Sequence, residues 1–158
     1  MTKKYSPYVA KGGHLAVMSE LLMRGWNVAI PEVDIGDDIF VVHDEKGTLK
    51  RVQVKTAQAT KTQNGFIAQF NLPLKQLKNL SESFVHYTFI VRNENKWTEP
   101  IIIRQDNLLD HYKVDKIGSK YMNHLNLHFS FQKNKVLCSK IDMTKYISDY
   151  TEFPIIEH

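Results

Sequence analysis

Val33-Asp34-Ile35-Gly36-Asp37-Asp38-Ile39-Phe40-Val41-Val42, followed shortly by Arg51-Val52-Gln53-Val54-Lys55-Thr56, is the stretch whose reading decides the fold. Val41, Val42, Val52 and Val54 are β-branched and suit a pleated, half-buried surface. The intervening His43-Asp44-Glu45-Lys46-Gly47-Thr48 is polar and carries a glycine, which reads as a hairpin connection. Side chains two apart on a strand share a face. Gln53 and Lys55 therefore point one way, and Val52 and Val54 the other. On the first strand Asp38 shares a face with Phe40 and Val42. Pairing the two strands brings Asp38, Gln53 and Lys55 together at one end of the hairpin. Holding a carboxylate, an amide and an ammonium together is costly unless something binds there.

Working outward, Asp34 and Asp37 are explained by a turn, because Asp and Gly are favoured where a loop enters a strand. Asp38 is not, since it abuts the apolar run Ile39-Phe40-Val41-Val42. Upstream, Leu15, Val17, Met18, Leu21 and Leu22 recur near helical spacing from His14 to Arg24. Gly25 ends that helix. Trp26 to Ile30 reads as a short strand, and Tyr5 to Lys11 as an extended arm.

The pattern Asp34-x-Gly36-x-Asp38, an apolar strand, then Gln53-x-Lys55 resembles the PD-(D/E)xK nuclease superfamily. More narrowly, it is similar to small prokaryotic endonuclease-like proteins whose second motif strand reads Val-Gln-Val-Lys-Thr, here Val52 to Thr56. Gly13-His14-Leu15-Ala16-Val17-Met18-Ser19-Glu20-Leu21-Leu22-Met23-Arg24-Gly25-Trp26 resembles that family's first helix and first strand. The resemblance covers roughly the first sixty residues, and loosely the element order to about residue 92.

The resemblance implies an α/β fold with a restriction-endonuclease-like core. That core is a mixed β-sheet flanked by helices in the order αβββαβ, over about residues 12–92 of a single domain spanning 1–158. A C-terminal elaboration over about 100–150 adds an extra β-hairpin. The implied activity is metal-dependent hydrolysis of phosphodiester bonds, that of a magnesium-dependent endodeoxyribonuclease. Nucleic acid, DNA before RNA, is the partner, and a homodimer is the implied assembly. Asp38 would be the main ligand of Mg2+ or Mn2+, with the Gln53 amide oxygen and the Val54 main-chain carbonyl as further oxygen donors. Lys55 would orient the attacking water or pair with phosphate oxygens. The family's first helix often carries a glutamate near the metal, commonly as Gly-Glu at the helix start. Here that position is His14, which reads as a residue that caps or packs. Glu20, six residues on, is the candidate acidic helper, although residues six apart on a helix face different ways. The position of Gln53 is usually acidic in the family. Glutamine removes one negative charge, so the alternative is a catalytically weak or inactive module of nuclease fold that binds nucleic acid or a protein.

Composition agrees with a globular protein: 158 residues, 42% hydrophobic and 24% charged. That length is enough for a real core. The net charge of +4 permits a polyanionic partner without requiring one. Cys138 is the one cysteine, which excludes an internal disulfide and a cysteine-built zinc site. No apolar run is long enough for a membrane span and no apolar region follows Met1–Tyr5, so a cytoplasmic location is expected.

Downstream, Ala57 to Asn64 reads as a loop and Gly65 to Asn71 as a strand. Pro73 to Leu80 reads as a helix with Leu74, Leu77 and Leu80 on one side. Tyr87 to Val91 and Ile101 to Arg104 are strands, and Asp106 to His111 a short helix. Lys113 to Asn123 is basic and irregular. Leu125 to Phe131 alternates as a half-buried strand and turns at Asn134 into Val136-Leu137-Cys138. Asp142 is placed to cap a last short helix.

Overall fold

The computed structural model describes residues 6–33, 36, 38–81 and 83–158. Helix α1 spans Pro7–Met23, so it starts well before His14 and takes in the segment expected to be an extended arm. Pro7 occupies the first turn, where a missing N–H costs nothing. Gly12 and Gly13 lie inside the helix, against their low propensity. The reason is tertiary. A Cβ on Gly13 would sit 2.1 Å from Thr56 Cγ2, so the glycine lets α1 lie directly on the sheet. Gly13, Val17 and Leu21 are buried at intervals of four residues and form the packed face. The helix ends where Gly25 N–H donates to Leu22 O at 2.9 Å and Trp26 N–H to Leu21 O at 3.1 Å, a Schellman pair.

The first sheet contains β1 (Asn27–Ala29), β2 (Ile39–His43), β3 (Thr48–Gln58), β6 (Val85–Asn93), β7 (Lys96–Trp97) and β8 (Ile101–Arg104). β2 and β3 form the expected antiparallel hairpin, with Ile39 opposite Val52 and His43 opposite Thr48. β3 and β6 run parallel from Arg51 opposite Val85 to Gln58 opposite Arg92. The sheet is therefore mixed, and β6 is buried along seven successive residues, as a central strand covered on both faces should be.

The crossover from β3 to β6 holds β4 (Thr60–Thr62), β5 (Gly65–Pro73) and α2 (Leu74–Lys78). Here the loop expected over Ala57 to Asn64 is corrected: β3 continues to Gln58, and β4 pairs with β5. β5 belongs to a second sheet, entirely antiparallel, completed by β9 (Ser119–Tyr121), β10 (His124–Gln132), β11 (Lys135–Cys138) and β12 (Ile141–Asp142). The expected late hairpin is β10–β11. It does not stand alone, because β10 pairs with β5 along nine residues, from His124 opposite Pro73 to Gln132 opposite Gly65. α3 (Gln105–Asp110) runs into a π-helical turn over His111–Asp115, so part of the segment expected to be irregular is helical and part is β9. The last helix is only a single 3-10 turn, Thr144–Tyr146, entered with Asp142 Oδ1 accepting from Thr144 N–H.

One apolar cluster fills the space between the two sheets. Its centre is Phe70 of β5, Phe89 of β6 and Phe129 of β10, with ring centroids 4.9–5.7 Å apart. The second cluster lies on the other face of the first sheet, where Val17 and Leu21 of α1 meet Val52, Val54, Ile90 and Phe153. Phe153 belongs to a C-terminal segment that crosses this face. Trp26 Nε1 donates to Pro154 O at 2.8 Å, and Lys50 Nζ donates to both the main-chain oxygen and the carboxylate of Glu152. Among the described residues no helix is long and apolar enough to cross a membrane.

Two outcomes follow from this packing. Gly13→Ala should raise helix propensity yet lower stability, by about 1–3 kcal/mol, because overpacking against Thr56 outweighs the gain. A urea denaturation midpoint at or above wild type would contradict the close approach. The second concerns His86, which is 5% exposed beside Glu152 (Nε2 to Oε2 3.8 Å). Burial lowers its pKa from 6.5, and nearby Lys50 and Arg104 act in the same direction. The main chain at Arg51 and the Glu152 carboxylate oppose them without prevailing. The folded-state value is depressed, so unfolding takes up a proton between that value and 6.5. This contribution is complete above pH 6.5 and is lost as the pH falls below it. Melting temperatures from pH 8 to pH 5 should decline more steeply for wild type than for His86→Phe. Equal slopes would remove His86 as the cause.

Candidate functional site

β3 is eleven residues long and β2 only five, so β3 runs past its hairpin partner. In an antiparallel ladder the N–H and C=O of one residue point to the same side. Asp38 N–H still donates to Val52 O at 3.0 Å. Two residues further, Val54 meets no strand on that side among the described residues. Its N–H donates instead to Asp38 Oδ2 at 2.8 Å. The Val54 carbonyl points toward the same edge, and the Val54 side chain is buried on the α1 face. Main chain is thus what Val54 offers to the Asp38 side.

Gln53 and Lys55 project from the opposite face of β3, toward the second sheet. Gln53 is 7% exposed, and its Oε1 has no hydrogen-bond partner among the described residues. Lys55 is half-buried. Together with Asp38, Gln53, Val54 and Lys55 line a cleft of about 540 Å³ between the motif hairpin and β5. α1 contributes His14, whose Nε2 lies 3.5 Å from Asp38 Oδ2. β5 contributes Gln69 and Asn71 to the far wall. The motif loop is held from below by α2: Gln76 Nε2 donates to Gly36 O at 2.6 Å. Gly36 has φ +105°, a backbone conformation that favours glycine, and a Cβ there would push aside the Gln76 amide that holds the loop.

The structure thus brings Asp38, Gln53, Val54 and Lys55 to one cleft. It does not bring Glu20 there. Glu20 faces away from the cleft, where its Oε1 accepts from Arg24 Nε at 3.0 Å. The Arg24 guanidinium lies 3.7 Å from the centre of the Tyr150 ring. The helix turns through more than one and a half revolutions between His14 and Glu20, which carries the glutamate off the site face. His14, read from sequence as a capping or packing residue, is the helix residue at the site. The usable signal was its place directly after Gly13, which the packed face of α1 includes. Gln69 and Asn71 carried no signal, because β5 reaches the motif strands only through the fold. Asp34 and Asp37 lie outside the described residues.

The donor set is all oxygen: the Asp38 carboxylate, Gln53 Oε1 and the Val54 carbonyl. Such donors suit a hard divalent cation that keeps several waters. A buried amide oxygen without a partner costs about 1–3 kcal/mol, and a cation would offset that cost. Among the described residues no three His, Cys, Asp or Glu side chains converge as a metal cluster.

No protein-family model matches the chain, and no curated protein matches it by sequence. In three dimensions the chain is similar to a bacterial homing endonuclease, I-Ssp6803I. The folds correspond. The TM-score is 0.55, over 95% of this chain and 91% of the other, at 14% identity. This correspondence is one of architecture and includes the second sheet as well as the motif hairpin, since it runs over nearly all of both chains.

Gln53→Glu discriminates a cation site from a polar core position. Without metal, a second carboxylate beside Asp38 in a buried setting should lower stability by about 1–3 kcal/mol. With millimolar Mn2+ the variant should recover, and its melting temperature should rise more than that of wild type. A variant indifferent to Mn2+ would show that Oε1 faces no cation.

Proposed function

We propose that this chain is a metal-dependent endonuclease of PD-(D/E)xK type that hydrolyses phosphodiester bonds of DNA with Mg2+ or Mn2+. The observation that supports it most is the buried Oε1 of Gln53, unpartnered among the described residues, on a cleft that the Asp38 carboxylate and Lys55 also line. The fold similarity to a homing endonuclease supports the same reading. A homodimer would let two such clefts act on two strands.

When bound, the cation would lower the pKa of a coordinated water and offset charge on the phosphate. The rest of the chemistry belongs to the chain. Asp38, fixed by the Val54 N–H, presents its carboxylate in one orientation. Gln53 Oε1 and the Val54 carbonyl supply neutral oxygens from adjacent residues of a rigid strand. The Lys55 ammonium, on the same face as Gln53, stabilises charge developing on the non-bridging phosphate oxygens. His14 stands where it can hydrogen-bond Asp38 or a water held between them. The walls of β5 narrow the cleft and limit the ways a sugar–phosphate strand can enter.

One observation favours a second reading. Asp38 is the single carboxylate lining the cleft among the described residues, which suits a module that binds nucleic acid and cuts it weakly or not at all.

Two measurements separate these readings. Wild type should nick supercoiled plasmid in Mg2+ or Mn2+. Lys55→Ala should lose about 10²-fold or more in rate while melting as wild type does. Millimolar metal should raise the melting temperature of wild type by mass action, and Asp38→Ala should abolish that rise. Undiminished cutting by Lys55→Ala would refute its assignment. A metal-stabilised wild type that cuts nothing would establish the second reading.

A further inference from the structure

The solvent face of the second sheet continues directly from the cleft wall. Gln69 and Asn71 line the cleft and are exposed on β5. Their cross-strand partners on β10 are His128 and Asn126, and Ser119 of β9 stands beyond Asn126. Neither Gly65–Pro73 nor His124–Gln132 contains an acidic residue, a lysine or an arginine. The face is therefore uncharged, built of amides, imidazoles and hydroxyls with the exposed Ile67 among them, while its inward side supplies Phe70 and Phe129 to the core. Cations stand at its end instead, as exposed Lys133 and Lys135 around the β10–β11 turn. This is a division between neutral groups that read base edges and charges that hold phosphates.

Asn71 Nδ2 donates to Asn126 Oδ1 at 2.9 Å, which fixes both amides across the strands. That bond uses one N–H of Asn71 and one lone pair of Asn126. Asn71 keeps its carbonyl oxygen as acceptor and Asn126 keeps its NH2 as donor. An acceptor and a donor side by side complement a base edge that offers both, as adenine does in the major groove. Alternate residues on one face of a strand repeat every ~6.8 Å, close to two base-pair rises of ~3.4 Å.

We propose that the outer face of β5 and β10 reads base edges in the groove of a DNA duplex whose backbone enters the adjacent cleft, with Asn71, Asn126, Gln69 and His128 as the reading residues. This rests on the nuclease reading of the cleft. It adds that the protein discriminates sequence, and that the discrimination lies on the second sheet.

The test is selection from a randomised DNA duplex library in Ca2+ buffer, for wild type and for the double variant Asn126→Ala/His128→Ala. Both substituted residues lie outside the cleft, and circular dichroism melting reports whether the variant is folded. Wild type should enrich a defined sequence with about 10-fold discrimination at each contacted base pair. The variant should lose that preference at one or two positions while still nicking plasmid in Mn2+ and keeping the same steep salt dependence of binding. The proposal is overturned if the variant retains the full preference, if wild type enriches no sequence, or if the variant changes only self-association in sedimentation. Metal-dependent melting and plasmid nicking by wild type, run on the same preparation, keep the two levels apart. If they persist without sequence selection, the cleft assignment stands and this face is not the reader. If they are absent as well, both fall.

Discussion

The structure depends on a mismatch in strand length. β3 has to be long, because it pairs in parallel with β6 over eight positions and β6 is the buried spine between the two apolar clusters. β2 is short, so among the described residues no strand covers the edge of the far half of β3 on the Asp38 side. Buried main-chain groups require partners. At Val54 the partner is a side chain, the Asp38 carboxylate. That one bond sets the carboxylate against the strand carrying Gln53 and Lys55. The same edge directs the Val54 carbonyl toward it. The polar cluster is thus a consequence of how the sheet is terminated.

Two other elements keep the arrangement in place. α1 lies on β3 through Gly13, at a distance no larger residue would permit, and this brings His14 within 3.5 Å of Asp38. α2 holds the motif loop through Gln76 and Gly36. α2 is in turn held by Gln105, a buried glutamine whose Nε2 donates to the carbonyls of Gln76, Leu77 and Asn79 and whose Oε1 accepts from Val85 N–H. Those bonds satisfy the end of a very short helix and tie it to the start of β6. The second sheet closes the cleft from the other side through Gln69, Phe70 and Asn71 of β5. Similarity to a homing endonuclease over nearly the whole length of both chains concerns this two-sheet frame.

Much of the first half was legible from local pattern. The β-branched runs around Asp38 and Gln53 stated the hairpin, and period-two alternation placed Gln53 and Lys55 on one face. Strand β6 was evident from its apolar run. What failed did so for identifiable reasons. Gly12 and Gly13 argue against helix by propensity, yet the helix extends back to Pro7 because close packing on Thr56 outweighs that propensity. Thr60–Thr62 is polar and fully exposed, so nothing in its composition marks it as a strand. Only its pairing with β5 does. The late hairpin was visible as alternation, but its union with β5, some sixty residues away, is a long-range pairing that no local signal records. Glu20 was attractive as a carboxylate and sits on the wrong side of its helix. His14 reads locally as a capping or packing residue, and only the close packing of α1 on β3 brings it to within 3.5 Å of Asp38. Cys138 is buried, and that burial pushes its thiol pKa up to about 11.

The central claim is that three oxygens from two neighbouring segments form one cation site. Diffraction from Mn2+-soaked crystals, with anomalous differences measured at the manganese edge, tests it most directly. The account predicts a single peak at about 2 Å from an Asp38 carboxylate oxygen, Gln53 Oε1 and the Val54 carbonyl, completed by waters. No peak in the cleft at saturating Mn2+, with the Gln53 amide turned onto a protein donor, would contradict it.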